Sequence, residues 1–337
     1  MPDSRRTDLV LLLVAIVWGS SYLAAKSATG AVPVLVVLFA RYALSALAAL
    51  AVIAVGAALA GRAASAGRTA RTGRAAFAGS ALRGRRPSAR FRRDELRYGS
   101  VLGLTQAAVL AIETYGVAHT GAANAGLIIS LTIVLTPFLD RIGGRGPLPA
   151  RFFAAAGLCI VAVGLLMSGT GLRTPGIGDL LMLAAALVRA AHVALVGRLT
   201  AGRELRPMHL TAVQTVVGTV VFAVPAASGL SVLAHASAST WGSLLHLALF
   251  CSVFAFLAQT WAVQRSSASR ASLLLGTEPV WAVAVGIGLG GEHLTAPAAL
   301  GTVLMVAGTY WGQAVERAHR TAPPVAADSP TAALPTT

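Results

Sequence analysis

Charge is scarce in this sequence. Aspartate, glutamate, lysine and arginine together make up 12% of the 337 residues, against 56% hydrophobic residues and a mean hydropathy of +0.73. So few polar side chains cannot cover a soluble fold of this length, and the chain must use lipid as part of its solvent. Cysteine is nearly absent: Cys159 and Cys251 both fall inside apolar runs, which excludes a stabilising disulfide framework and suits packed membrane thiols. No GxxxxGK[ST] phosphate loop occurs, so ATP-driven chemistry by this chain is not expected. His119, His209, His235, His246 and His293 are scattered singly, without metal-ligand spacing, and neither a metal nor a cofactor is expected. Acidic residues are outnumbered by basic ones, 12 to 27, for a net charge of +15. That balance alone would suit nucleic acid. The arginines, however, sit in short segments between apolar runs, as a membrane protein arranges them, and no nucleic-acid partner is expected.

What is present is a succession of apolar runs: Leu9 to Ala25, Val34 to Leu59 behind Pro33, Tyr98 to Val117, Gly121 to Leu139, Phe152 to Met167, Leu180 to Val196, Met208 to Val224, Trp241 to Val263, Ala271 to Leu289 and Ala296 to Trp311. The first, preceded by Arg5 and Arg6, has the outline of a signal peptide, but nine further runs follow and an uncleaved first helix is the better reading. These runs divide the chain into a cytoplasmic N-terminus (1–8), a first five-helix unit (9–168), a Gly/Pro linker (169–178), a second five-helix unit (179–314) and a disordered cytoplasmic tail (315–337). Asp179 suits the first turn of the helix it opens. The segment 60–97, biased to Ala, Gly and Arg, reads as a flexible cytoplasmic loop drawn to anionic lipid headgroups.

The two units echo each other. Glu113 to Val134 returns 146 positions later as Gln259 to Val280, with six identities: Thr114/Thr260, Val117/Val263, Ala122/Ala268, Ala125/Ala271, Leu127/Leu273 and Val134/Val280. Gly157 and Gly164 reappear as Gly301 and Gly308, positions expected to let helices pack closely and compatible with a homodimer. Ten spans put both termini on one side. With that side cytoplasmic, nearly every arginine lies inside and only Lys26 and Arg173 lie outside. An odd number of spans per unit turns the second upside down relative to the first. The fold class is therefore all-α integral membrane, ten transmembrane helices as two inverted five-helix repeats.

At this point the residues resemble the drug/metabolite transporter superfamily, in its EamA-domain branch. The resemblance is carried by WGSSYLAAK at Trp18 to Lys26, Arg41 early in the second helix, the alanine-rich entry to the fourth, TEPVW at Thr277 to Trp281 and GGEHLT at Gly290 to Thr295. It implies a secondary carrier of small metabolites, often outward, with a central cavity between the halves. The chain departs from the family pattern at Ile133, where the second unit has Pro279, and at Arg189, where the family commonly keeps a tryptophan.

A charge at the centre of a membrane helix costs roughly 2.5–3.5 kcal/mol on insertion scales and needs a partner, a cavity or a function. Arg41, Glu113, Arg189 and Glu278 stand out, and the topology suggests two pairs, Arg41 with Glu113 and Arg189 with Glu278. They are read either as structural ion pairs or as part of a substrate and coupling cavity. Glu278 precedes Pro279, whose missing N–H frees a backbone carbonyl nearby. His192 lies one turn from Arg189, and Gln106 shares a face with Glu113. At an offset of 171, Arg189 stands opposite Trp18 and His192 opposite Ser21, while Gln259 stands opposite Glu113 at 146. The candidate cavity thus comprises Trp18, Ser21, Tyr22, Arg41, Gln106, Glu113, Arg189, His192, Gln259, Glu278 and Pro279, with an anionic or zwitterionic group held by Arg189.

The function expected is secondary transport, as an exporter of a small amino-acid-like or organic-anion metabolite, in the plasma membrane with both termini cytoplasmic. A proton is the coupling ion considered, through Glu278 or Glu113. The competing readings are an intramembrane hydrolase using Gly19 to Ser21 with His192, and a membrane scaffold without transport.

Overall fold

A computed structural model of the protein describes residues 2–69, 89–119, 128–141, 148–168, 176–290 and 295–321. Several sequence expectations fall outside them: the start of the fourth run with Asn124, residues 70–88 of the arginine-rich loop, the linker up to residue 175, His293 and the tail beyond residue 321. The described residues are helical throughout their ordered elements, with no strand among them. In chain order these are α1 (Pro2–Ala31), α2 (Val34–Thr69), α3 (Arg93–His119), α4 (Thr132–Arg141), α5 (Ala150–Ser168), α6 (Ile177–Thr200), α7 (Pro207–Ala226, continued by a 3₁₀ segment to His235), α8 (Ala238–Arg265), α9 (Ala268–Leu275), α10 (Glu278–Gly290) and α11 (Ala296–Thr321).

Local chemistry explains most of the boundaries. Pro207 opens α7, where its missing N–H costs nothing. Ser237 caps α8 by accepting the Thr240 N–H, and Ser267 caps α9 through the Arg270 N–H. Asp179 accepts the Gly176 N–H at 2.7 Å, as its place at a helix start suggested. α2 runs ten residues past Leu59 because the alanines that follow keep helix propensity after the apolar run has ended.

Six helical segments among the described residues are long and apolar enough to cross a membrane: Arg5–Ala31, Val34–Arg62, Arg93–His119, Ile177–Thr200, Pro207–His235 and Ala238–Arg265. Their side chains are arranged inside out relative to a soluble protein. Leu47, Val220 and Val224 are exposed, while Arg41, Gln106, Arg189, Gln259 and Glu278 are buried. Apolar outside and polar inside is the pattern lipid demands, and the protein is a multi-pass membrane protein.

Helix packing interleaves the two halves of the chain. α1 packs on α8 and α10, whereas α6 packs on α3 and α4; α2 lies against α7, and α5 against α11. Close approach in the last pair comes from Gly308, where an added Cβ would meet the Cys159 sulfur at 2.8 Å. Gly157 and Gly164 do not share this role, since each faces open space within 4 Å. The repeat preserved the glycine but not its neighbour, because the pairing places only the second copy toward its partner helix. Both cysteines are buried and free.

Two ion pairs beyond those read from the sequence fix helix ends. Glu95, fully buried at the start of α3, accepts from Arg206 Nε and Nη2, both at 2.7 Å, and from the Arg92 N–H at 2.9 Å. Arg270 reaches Asp8 through Nε at 2.8 Å and Nη2 at 2.5 Å, tying α9 to α1, and Ser267 donates to Glu316 of α11 at 2.7 Å. Sequence reading places both arginines in cytoplasmic segments and finds no partner for them, because an ion pair between residues more than a hundred positions apart leaves no local spacing to detect.

Candidate functional site

The site begins with an irregularity in α8. From Leu249 to Phe254 the helix widens to a π-helical turn, which shifts the backbone hydrogen bonding by one residue. The Cys251 carbonyl there accepts two side-chain donors, Trp18 Nε1 at 3.0 Å and Arg41 Nη2 at 3.2 Å. Next to it, Ser252 donates to the Leu247 carbonyl at 3.0 Å and accepts Arg41 Nε at 2.7 Å. A six-residue distortion thereby anchors both an aromatic residue of α1 and a cation of α2. Nothing in LFCSVF announces it, as the segment holds neither proline nor glycine.

Trp18, held by its indole N–H, presents its ring to Arg189 of α6, whose guanidinium carbon lies 4.5 Å from the ring centroid. The same guanidinium binds Glu278 of α10 at 2.8 Å and lies 3.9 Å from Glu113 of α3. Arg189 and Glu278 thus pair as the sequence suggested. Arg41 and Glu113 do not: Arg41 gives its hydrogen bonds to Ser252 and Cys251, and Glu113 turns instead toward Arg189. The expected pairing considered depth alone, and the π turn offered Arg41 acceptors closer to hand.

Nine of the eleven residues singled out from sequence line one small cavity of about 30 Å³: Trp18, Ser21, Arg41, Gln106, Glu113, Arg189, His192, Gln259 and Glu278. Tyr22 is buried beside them near Glu278. Pro279 lies at a second cavity of about 10 Å³, walled by the hydroxyl-bearing Ser130, Thr132, Thr136 and Ser272. Arg189 and Glu278 line both cavities, so their ion pair is the partition between them. Ahead of Pro279 the chain breaks its helix between α9 and α10, at Gly276 and Thr277, which sets Glu278 in the first turn of a new helix. Each cavity has room for a water or two, not for a metabolite.

His192 donates or accepts at Thr105 through Nδ1, 2.8 Å away. The serine–histidine contact that does form is Ser20 Oγ with His246 Nε2 at 3.0 Å. Ser20 already donates its proton to the Val17 carbonyl at 2.7 Å, and His246 stacks on Phe250 with no carboxylate bond described at its ring. This is not the geometry of a base drawing a proton from a nucleophile.

Comparison with known proteins agrees with the membrane architecture. Residues 176–311 match the model of the EamA-like transporter family. This stretch of the chain is similar to an EamA-like transporter domain. Across a wider stretch, the chain is 25% identical over 212 residues to an uncharacterized transporter of Archaeoglobus fulgidus, spanning 63% of this chain and 67% of that protein. A solved crystal structure superposes with a TM-score of 0.65 at 16% identity, covering 94% of this chain and 99% of the other, a likeness of fold. The EamA match includes Arg189, His192, Gln259, Glu278 and Pro279. Together these findings support a transporter role rather than an enzyme.

Replacing Trp18 separates its two contacts. Trp18→Phe keeps a ring for Arg189 but loses the bond to Cys251, an expected cost of about 1 kcal/mol. Trp18→Leu also loses the cation–ring contact and should cost about 1–2 kcal/mol more. Thermal unfolding of the purified protein in one detergent reads both steps. Equal midpoints for the two variants would mean the ring contact contributes nothing.

Proposed function

We propose that this protein is a secondary transporter that exports a small polar metabolite, amino-acid-like or an organic anion, by alternating access around the cavity at Arg189. The observation that carries this reading is the Arg189 guanidinium, seated between Glu278 at 2.8 Å, Glu113 at 3.9 Å and the Trp18 ring within a bundle of apolar helices. Three charges held together within apolar helices are too costly to keep for packing alone, and two of them, Arg189 and Glu278, line both cavities. A substrate carboxylate at Arg189 must compete with Glu278. Arg41 bonds only neutral acceptors among the described residues, and it is the readier anion partner on the same cavity.

The packing supports ten helices in two inverted units, 9–168 and 179–314. α1 lies on α8 and α10 while α6 lies on α3 and α4, and α2/α7 and α5/α11 meet as counterparts. A pseudo-twofold relation between halves requires both the exchange and the counterpart pairs. Rocking one half against the other then exposes the cavity to each side in turn. Arginine asymmetry supports cytoplasmic termini in the plasma membrane, with the segment 60–97 on anionic lipid. A proton is the proposed coupling ion.

Metabolite profiling of cells and medium tests this, comparing wild type with Arg189→Gln at matched membrane levels. A small anionic or zwitterionic compound should accumulate outside with the wild type alone. Equal redistribution by both would remove Arg189 from the site, and no redistribution by either would remove export.

A further inference from the structure

We infer that Glu113 is the carboxyl group that takes up and releases the coupling proton, while Glu278 is the fixed counter-ion of Arg189. Its transport role rests on the function proposed above; its protonation does not. Two carboxylates face one guanidinium, and they face it unequally. Glu278 accepts a 2.8 Å hydrogen bond from Arg189. Glu113 lies 3.9 Å away, beyond hydrogen-bond reach, and no hydrogen bond to it is described.

The surroundings of Glu113 leave it no stronger partner. From α2, Arg41 points to Ser252 and Cys251; from α6, Arg189 favours Glu278, and His192 bonds Thr105. From α10 comes the like charge of Glu278, and from α1 and α2 come the phenols of Tyr22 and Tyr42. Gln106 and Gln259 add neutral amides to the same cavity. With both carboxyls ionised, the triad carries one negative charge more than its arginine balances. A proton on Glu113 removes that excess.

The device follows from the geometry. Arg189 swinging from Glu278 toward Glu113 opens the partition between the two cavities and, by pairing with Glu113, expels its proton to water entering the cavity that Glu113 lines. Return to Glu278 lets Glu113 reload. Passage through the partition and proton release are thereby one movement.

Infrared difference spectra of the full-length protein in lipid, taken between acid and alkaline pH, test the assignment through the carbonyl stretch of a buried protonated carboxyl group. The wild type should show such a band, and Glu113→Gln should lack it. In Glu278→Gln, Arg189 is free to pair with Glu113, so the same band should appear only at a pH lower by about one unit or more, a tenfold loss of proton affinity. A band that survives in Glu113→Gln and vanishes in Glu278→Gln would give the role to Glu278. A wild type without any such band would overturn the inference outright, independent of whether either variant folds. If the band is present but no metabolite is exported, the proton site stands and the transport reading fails; export without the band fails this inference alone.

Discussion

Arg189→Gln should be the most damaging substitution in the cavity, costing on the order of 3–5 kcal/mol of stability, because it strands Glu278 and takes from Glu113 its neighbouring cation. Glu278 is 4% exposed and takes its described hydrogen bond from Arg189 alone. Glu278→Gln should cost less, since Arg189 keeps Glu113 at 3.9 Å and the Trp18 ring at 4.5 Å. The double variant Arg189→Gln/Glu278→Gln should recover part of the single arginine loss, since it also removes the carboxylate that the lost arginine strands. Thermal unfolding in detergent checks the order: arginine variant lowest, double variant between, glutamate variant highest of the three. A double variant less stable than Arg189→Gln would mean that Glu278 has a second anchor.

Gly218→Ala should also unfold the protein readily, for a steric reason. A Cβ on Gly218 of α7 would stand 2.3 Å from Tyr42 Cδ1 and 2.4 Å from Cε1 on α2. That ring is fully buried and stacked on Phe222, with centroids 5.7 Å apart, so it has nowhere to retreat. Overpacking of this kind costs about 1–3 kcal/mol, and in lipid it strikes the contact that holds helices together. Gly218→Val should be worse. Combining Gly218→Ala with Tyr42→Leu should restore most of the loss, as a smaller side chain vacates the space; failure of that rescue would place the damage elsewhere.

The composition and the apolar runs made the membrane class legible, because lipid enforces hydropathy residue by residue. Charges standing in apolar runs single out Arg41, Glu113, Arg189 and Glu278, and the repeat adds Gln259 by its position opposite Glu113. Pairing was harder. Arg189 with Glu278 could be read from depth, whereas Arg41 with Glu113 could not survive a π turn that brought Cys251 and Ser252 to the arginine. The glycine copies diverged for the same reason, since Gly308 meets Cys159 and Gly157 meets nothing. Helix pattern records which residues leave lipid, and not which neighbour receives them. Asp8 with Arg270 and Glu95 with Arg206 were invisible on that ground too.

The most direct measurement is the accessibility of the cavity from both sides of the membrane. Ser21→Cys, in a Cys159→Ser/Cys251→Ala background, carries one thiol on the cavity wall. The Cys251 contacts with Trp18 and Arg41 use its carbonyl and survive that background. Right-side-out and inside-out vesicles would be treated with a charged, membrane-impermeant thiol reagent. Alternating access predicts modification in both orientations. Modification from neither side would contradict the account, and modification from one side only would make the cavity a one-sided binding pocket.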